Sequence, residues 1–308
     1  MSSSTLPAAA PGTGYLLVAC AALLWGTSGV IARFLFNHDI QPYDLLAIRT
    51  IAAALLHWVW LGLVARHLLC VERSTWPRLA LLGLIGLAIN QGCYYLALKL
   101  TSVGYALTFQ YTAPLLLMIY GVLSKTERPT AAKLLAGVLC LCGCALMALY
   151  GTATAFNWLG TAAALGSACA FAFYSAFGQR VLRGQDSRTV MTYAFTFAGL
   201  FWFIARPPWV IAWHSFDGRA WGMIVYLSVF ATVMPFGLYL AALRYLEPSR
   251  ANLTSALEPV VAASLAWVWL GERLTGWQLA GGAAVLSGVV LLQIESGYAR
   301  FQRAARAK

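Results

Sequence analysis

A chain of 308 residues that is 61% hydrophobic and 10% charged, with a mean hydropathy of +0.73, carries more apolar side chain than a water-soluble fold can bury. Its net charge of +11 does not point to nucleic acid, because the 21 Lys and Arg are spread thinly over the loops instead of forming a stripe. The solvent that remains is a bilayer, which about 20 residues of helix can cross.

In chain order, apolar runs bounded by charge, Pro or Gly fall at 15–36, 43–65, 77–98, 102–123 and 131–150. After a break from Gly151 to Asn157 they resume at 157–178, 189–205, 220–243, 250–270 and 276–294. The expected fold class is therefore an all-α membrane protein of ten transmembrane helices. The seventh run is the shortest and is stopped by Pro207-Pro208. Residues 1–14, MSSSTLPAAAPGTG, carry no Lys or Arg, and the run after them is too long for a signal peptide, so it reads as a retained helix after an N-terminal tail. A basic tail follows from 295 to 308. Of seven cysteines only Cys70 lies outside the apolar runs, and no disulfide framework is implied.

A gap-free shift of 145 residues superposes the halves. It places Trp76 on Trp221, Gly92 on Gly237, Tyr94 on Tyr239, Ala97-Leu98-Lys99 on Ala242-Leu243-Arg244, and Pro114 on Pro259. It continues with Glu127-Arg128 on Glu272-Arg273, Thr130 on Thr275, Gly137 on Gly282 and Gly143 on Gly288. A repeat of five spans has odd parity, so the second copy enters the membrane upside down. Loop charges agree: fifteen Lys and Arg, among them Lys125, Arg128, Lys133, Arg250 and Arg300, fall on the side of the termini. Five fall opposite, at Arg33, Lys99, Arg206, Arg219 and Arg273, which puts both termini in the cytoplasm. Two inverted five-helix repeats, 15–150 and 157–294, form two near-equivalent conformations, the architecture of an alternating-access transporter with its site near the midplane.

With the repeat in place, the residues resemble a known family. Pro114…Lys125-Thr126-Glu127-Arg128-Pro129-Thr130 and Glu258-Pro259…Leu270-Gly271-Glu272-Arg273-Leu274-Thr275, with Trp25-Gly26 in span one and Arg49 in span two, are similar to the EamA-type branch of the drug/metabolite transporter superfamily. The first-half loop departs from that pattern at Ser124-Lys125-Thr126. The resemblance implies a cavity lined by spans one, three, four, six, eight and nine. It also implies export of small metabolites across a bacterial inner membrane, and most resembles exporters of aromatic and other neutral amino acids. Drugs, nucleosides or other metabolites are the alternative cargo.

Midspan polar residues point to a pathway, since they are expensive in hydrocarbon unless they face protein or water. Span three offers Asn90, Gln91, Tyr94 and Tyr95, whose four-residue spacing stacks Asn90 on Tyr94 and Gln91 on Tyr95. Span four adds Thr108, Gln110, Tyr111 and Thr112. Amides and hydroxyls suit a zwitterion and rings suit an apolar side chain, while interhelical hydrogen bonding alone would also explain the group. Trp25, Ser28, Ser167, Phe171, Tyr174, Ser175, Phe236 and Tyr239 are candidates to complete the wall. Glu258 is the only carboxylate well inside a span, and its repeat mate is Ala113. It reads either as a coupling or amine-binding acid or as a structural one. Pro114 and Pro259 remove helix hydrogen bonds at matching depths, as hinges or static kinks, and Pro235 aligns with Asn90. Arg49 is a gate candidate that pairs with an acid or carbonyl, or snorkels to headgroups.

Small residues at four-residue spacing, Ala132, Ala136, Cys140, Cys144 and Ala148 in span five and Gly276, Ala280, Ala284 and Gly288 in span ten, fit packing within a monomer or a homodimer face. The chain shows no P-loop, no G-x-S-x-G and no H-E-x-x-H, and Cys140, Cys142 and Cys144 lack companions at ligand spacing. An intramembrane enzyme is thus the disfavoured rival, and no cofactor, metal or nucleic-acid partner is expected. The expected partners are a small-molecule substrate and the lipid bilayer.

Overall fold

A computed structural model describes residues 11–36, 38, 40–101, 103–127, 130–149, 157–213, 216–270 and 275–306. Ten helical segments account for almost all of them. The first five are α1 (Pro11–Phe36), α2 (Pro42–Val64), α3 (Arg73–Leu100), α4 (Val103–Gln110 and Ala113–Leu123) and α5 (Ala131–Leu149). The second five are α6 (Trp158–Val181), α7 (Ser187–Ala205), α8 (Gly218–Ala242), α9 (Pro248–Ser255 and Leu257–Leu270) and α10 (Gly276–Arg306). Eight are long and apolar enough to cross a membrane; α5 is a shorter apolar helix and α9 is broken in two. The helix α1 begins four residues earlier than its apolar run, and α10 continues through most of the basic C-terminal segment.

Local chemistry starts these helices where hydropathy alone is vague. Asn157, Asp186 and Asp217 cap α6, α7 and α8 by accepting the amides of Gly160, Arg188 and Ala220. Asp186 thereby extends the short seventh run to 19 residues. Pro42 and Pro248 occupy first-turn positions in α2 and α9, where a missing N–H costs nothing. Outward faces carry Leu55, Val59, Leu63, Leu123, Ile204, Val225 and Val268, all exposed, as a lipid-facing surface requires. Trp76 and Trp221, equivalent in the repeat, both stand exposed near the starts of α3 and α8.

The small residues of α5 pack inside the protomer, against α10. A Cβ added to Gly143 would lie 2.6 Å from the carbonyl oxygen of Gly281, and one on Gly281 would lie 2.6 Å from that of Gly143. Ala136, Cys140 and Cys144 are buried, but on α10 the contact face is Gly281, Val285, Gly288 and Leu292, whereas Gly276 and Ala280 are exposed. A strict four-residue stripe drifts by about 40° per step around a helix of 3.6 residues per turn, so only Gly288 of the expected α10 stripe stays wholly in the seam.

Ion pairs tie the halves at both ends. Beside the start of α1, buried Lys133 lies 3.2 Å from Glu127 and 2.5 Å from Glu247, and Arg250 joins Glu247 at 3.1 Å and Glu295 at 2.9 Å. Glu127 also accepts the amide of Ser249, so the first-half loop caps the second half's α9. The equivalent second-half loop, with Glu272 and Arg273, lies outside the described residues, as do Arg128 and Pro129. At the opposite end Arg206 pairs with buried Asp44.

Candidate functional site

Irregular backbone marks the centre of the bundle. α3 and α8 pass through π-helical segments at Leu82–Ile89 and Val229–Val233, matching positions under the 145-residue shift. α4 and α9 break at Tyr111-Thr112 and Ala256, again at matching positions, just before Pro114 and Pro259. Inside a membrane such irregularity is tolerated only where protein or a cavity satisfies the freed groups. Here the assignments are specific. Pro259 has no N–H for the Ser255 carbonyl four residues back, and the Tyr111 hydroxyl donates to that oxygen at 3.0 Å. Pro235 likewise strands the Ala231 carbonyl, and Arg49 Nη2 donates to it at 3.0 Å.

These breaks surround a cavity of about 40 Å³ lined by Trp25, Ser28, Arg49, Asn90, Gln91, Tyr94, Tyr95, Gln110, Tyr111, Phe171, Phe236 and Glu258. The cavity is narrow. Arg49 is 3% exposed; its Nε donates to Thr232 Oγ1 at 2.8 Å, its Nη1 donates to the Tyr95 hydroxyl, and its guanidinium carbon stands 5.6 Å from the Tyr95 ring centre. Glu258 Oε2 lies 2.9 Å from the same Tyr111 hydroxyl, whose one proton it shares with the Ser255 carbonyl. Tyr94 stands within electrostatic reach of both charged groups. Among the described residues neither Arg49 nor Glu258 has an oppositely charged side chain at ion-pair distance. The cavity thus holds one guanidinium and one carboxyl group, each bonded only to neutral groups among the described residues.

Aromatic rings close the other wall. Trp25 meets Phe236 at 5.1 Å, Tyr239 at 5.7 Å and Phe171 at 6.0 Å between ring centres. Tyr174 lies behind, edge-on to Phe236 at 5.8 Å and stacked on Tyr239 at 6.1 Å. Its hydroxyl donates to the Phe236 carbonyl at 3.2 Å, and Ser175 and Tyr239 share a hydrogen bond of 2.7 Å.

The structure brings the four polar residues of α3 together with Trp25, Ser28, Gln110, Tyr111, Phe171, Phe236 and Glu258 at one cavity. Six other candidates do not line it, among them Thr112, whose hydroxyl donates to the Phe109 carbonyl of its own helix at 2.7 Å. Thr108 turns to the Cys144 carbonyl of α5 at 3.3 Å, and Ser167 donates to Asn90 Oδ1 at 2.8 Å, holding that amide from behind. Tyr174, Ser175 and Tyr239 are fully buried in the layer that supports the rings. Asn90 therefore serves bundle bonding and cavity wall at once. Arg49 does not snorkel: it is buried and reaches a carbonyl, not an acid, and it adds span two to the lining elements. Thr232 escapes notice in the sequence, although counting back four residues from Pro235 marks Ala231 as a carbonyl needing a donor.

The sequence pattern of the EamA-like transporter family matches residues 12–149 and again 158–294. An uncharacterized inner membrane transporter of Salmonella typhimurium, YicL, is 26% identical over 290 residues, covering 92% of this chain and 96% of that one. An uncharacterized transporter of Bacillus subtilis, YwfM, is 27% identical over 297 residues, covering 95% and 96%. A solved crystal structure superposes with a TM-score of 0.75 at 20% identity over 92% of this chain and 97% of that one, a likeness of fold.

Proposed function

Because the chain belongs to the EamA-like transporter family, and is accordingly a multi-pass membrane transporter, we propose that it exports amino acids, aromatic and other neutral ones, by alternating access through the cavity between its two halves. The observation that carries this reading is the composition of the cavity wall. Amide, phenol and oppositely charged groups on α2, α3, α4 and α9 face rings from α1, α6 and α8. A zwitterionic head needs the first set and an apolar side chain the second.

The direction and setting follow from charge. The excess of Lys and Arg on the side of the termini favours a cytoplasmic location for both ends in a bacterial inner membrane. Substrate then enters from the cytoplasm and leaves outward. The narrowness of the cavity fits a closed stage of the cycle, in which an amino acid is admitted only when the halves rock apart. The ion pairs at the two ends are the contacts such rocking would break in turn, Lys133 with Glu127 and Glu247 on one side and Arg206 with Asp44 on the other. Without an ATP-binding motif, the driving force is a gradient of the substrate, with or without an ion.

Flux of labelled phenylalanine, tryptophan and leucine in proteoliposomes of the purified protein, with and without a pH gradient, tests the reading. Saturable flux of at least one is expected. Absence of flux for every neutral amino acid would overturn the substrate assignment, and equal flux in protein-free liposomes would do the same.

A further inference from the structure

Arg49 and Glu258 are ionisable groups with no oppositely charged partner among the described residues. A guanidinium and a carboxylate taken from water lose several kcal/mol of solvation each unless a counter-charge compensates. The partners of Arg49 are a phenol, a threonine hydroxyl and a backbone carbonyl. Among the described residues Glu258 accepts from the Tyr111 hydroxyl. At the two ends of the bundle, by contrast, buried Lys133 and Asp44 each have a counter-charge. Arg49 and Glu258 both face the same cavity, one contributed by each half of the chain.

We propose that this pair is a receptor for a dipolar ion: Arg49 takes the substrate carboxylate and Glu258 takes its ammonium, so that the transporter selects compounds carrying both charges over those carrying one. This deepens the amino-acid reading and rests on it. Arg49 suits a carboxylate because its planar fork presents parallel N–H donors, and exchange of the neutral Tyr95 hydroxyl for a carboxylate strengthens the bond. Glu258 accepts the Tyr111 hydroxyl with Oε2, and Oε1 is the acceptor this assignment gives to the ammonium. The rings of Trp25 and Phe236 then face the side chain of the bound compound.

The experiment compares three compounds of one shape in purified wild type and variants: L-phenylalanine, phenethylamine, which lacks the carboxylate, and 3-phenylpropionate, which lacks the amine. Binding is read as ligand-induced thermal stabilisation, and flux is read in proteoliposomes. Wild type is expected to bind phenylalanine at least about tenfold more tightly than either analogue, the scale of losing one charged hydrogen-bonded contact. Arg49→Gln is expected to lose phenylalanine and shift its preference to phenethylamine, and Glu258→Gln to shift to 3-phenylpropionate. A structural role does not produce such opposite shifts. Arg49→Lys keeps the charge without the fork and should retain the wild-type order with weaker binding, which guards against a misfolded Arg49→Gln protein.

Wild type that takes either analogue within about twofold of phenylalanine overturns the charge pair. So do variants that stay folded yet lose all three compounds alike, or none; in each of these cases amino-acid export survives if phenylalanine still crosses. If no neutral amino acid binds or crosses, the substrate reading itself has failed, and this inference with it.

Discussion

Replacing Lys133 by Met probes the joint between the halves at the end where α1 begins. The Lys133 and Glu127 side chains are 2% and 6% exposed and 3.2 Å apart, and Glu127 also holds the backbone amide and hydroxyl of Ser249. Removing the ammonium leaves a buried carboxylate with hydrogen bonds but no counter-charge, and breaking a buried pair from one side costs about 3–5 kcal/mol. Glu127→Gln keeps an acceptor for Ser249 and leaves Lys133 with Glu247 at 2.5 Å, so it should cost less, about 1–3 kcal/mol. The double variant removes both charges and should recover part of the loss, giving a coupling of about 1–3 kcal/mol. Reversible unfolding in mixed micelles with increasing SDS measures all four proteins. Additive costs, with coupling below about 0.5 kcal/mol, would refute the claim that these charges act as a pair.

Other positions follow from the same geometry. Tyr111→Phe deprives the Ser255 carbonyl and Glu258 of their shared donor and should destabilise the protein by about 1–3 kcal/mol in the same unfolding assay. Gly281→Leu places its Cβ against the Gly143 carbonyl, so α5 and α10 must separate; a loss of about 1–3 kcal/mol is expected, and an unchanged midpoint would contradict the packing. Asp186→Ala removes the cap of α7 at about 1 kcal/mol. The Arg188 side chain beside Asp186 holds that carboxyl below its usual range, so the cap's contribution is complete at neutral pH. The gap between wild type and Asp186→Ala should shrink only in acid, as pH falls through the lowered value.

The ten helices are legible in the sequence because lipid-facing surface demands long apolar runs, and the repeat is legible because charged and proline matches hold one offset. The polar face of α3 is legible for a similar reason: Asn90, Gln91, Tyr94 and Tyr95 are costly anywhere but facing protein or a cavity, and four-residue spacing stacks them. Where prediction fails, one residue type suits two environments. Tyr174 and Tyr239 have the same aromatic chemistry as Trp25 and Phe236 but sit one layer further back, which only the packing of α6 against α8 decides. Arg49, a lone cation near a span end, reads equally as a group pairing with an acid or carbonyl and as a headgroup anchor until α8 supplies Thr232 and the Ala231 carbonyl. The π-helical segments leave no trace in hydropathy, because widening a turn by one residue hardly alters which side chains are apolar.

Symmetry explains the scaffold, and its violation explains the site. Under the 145-residue shift the π segments, the helix breaks, Pro114 with Pro259 and Tyr94 with Tyr239 all coincide, so the two halves bend at the same depths. The groups that give the cavity its charge do not coincide: Arg49 falls on Ala194, Glu258 on Ala113, Tyr111 on Ala256 and Asn90 on Pro235. A fully symmetric cavity would carry two like charges, which repel in a low-dielectric space, or none. Dividing one cation and one anion between the halves avoids that repulsion and gives the cavity a polarity. The extra proline then strands the Ala231 carbonyl that Arg49 satisfies, so the departure from symmetry at Pro235 helps to hold the departure at Arg49 in place. Under the alternating-access reading proposed above, a near-symmetric backbone would bend either way while the asymmetric side chains give the cavity a fixed direction.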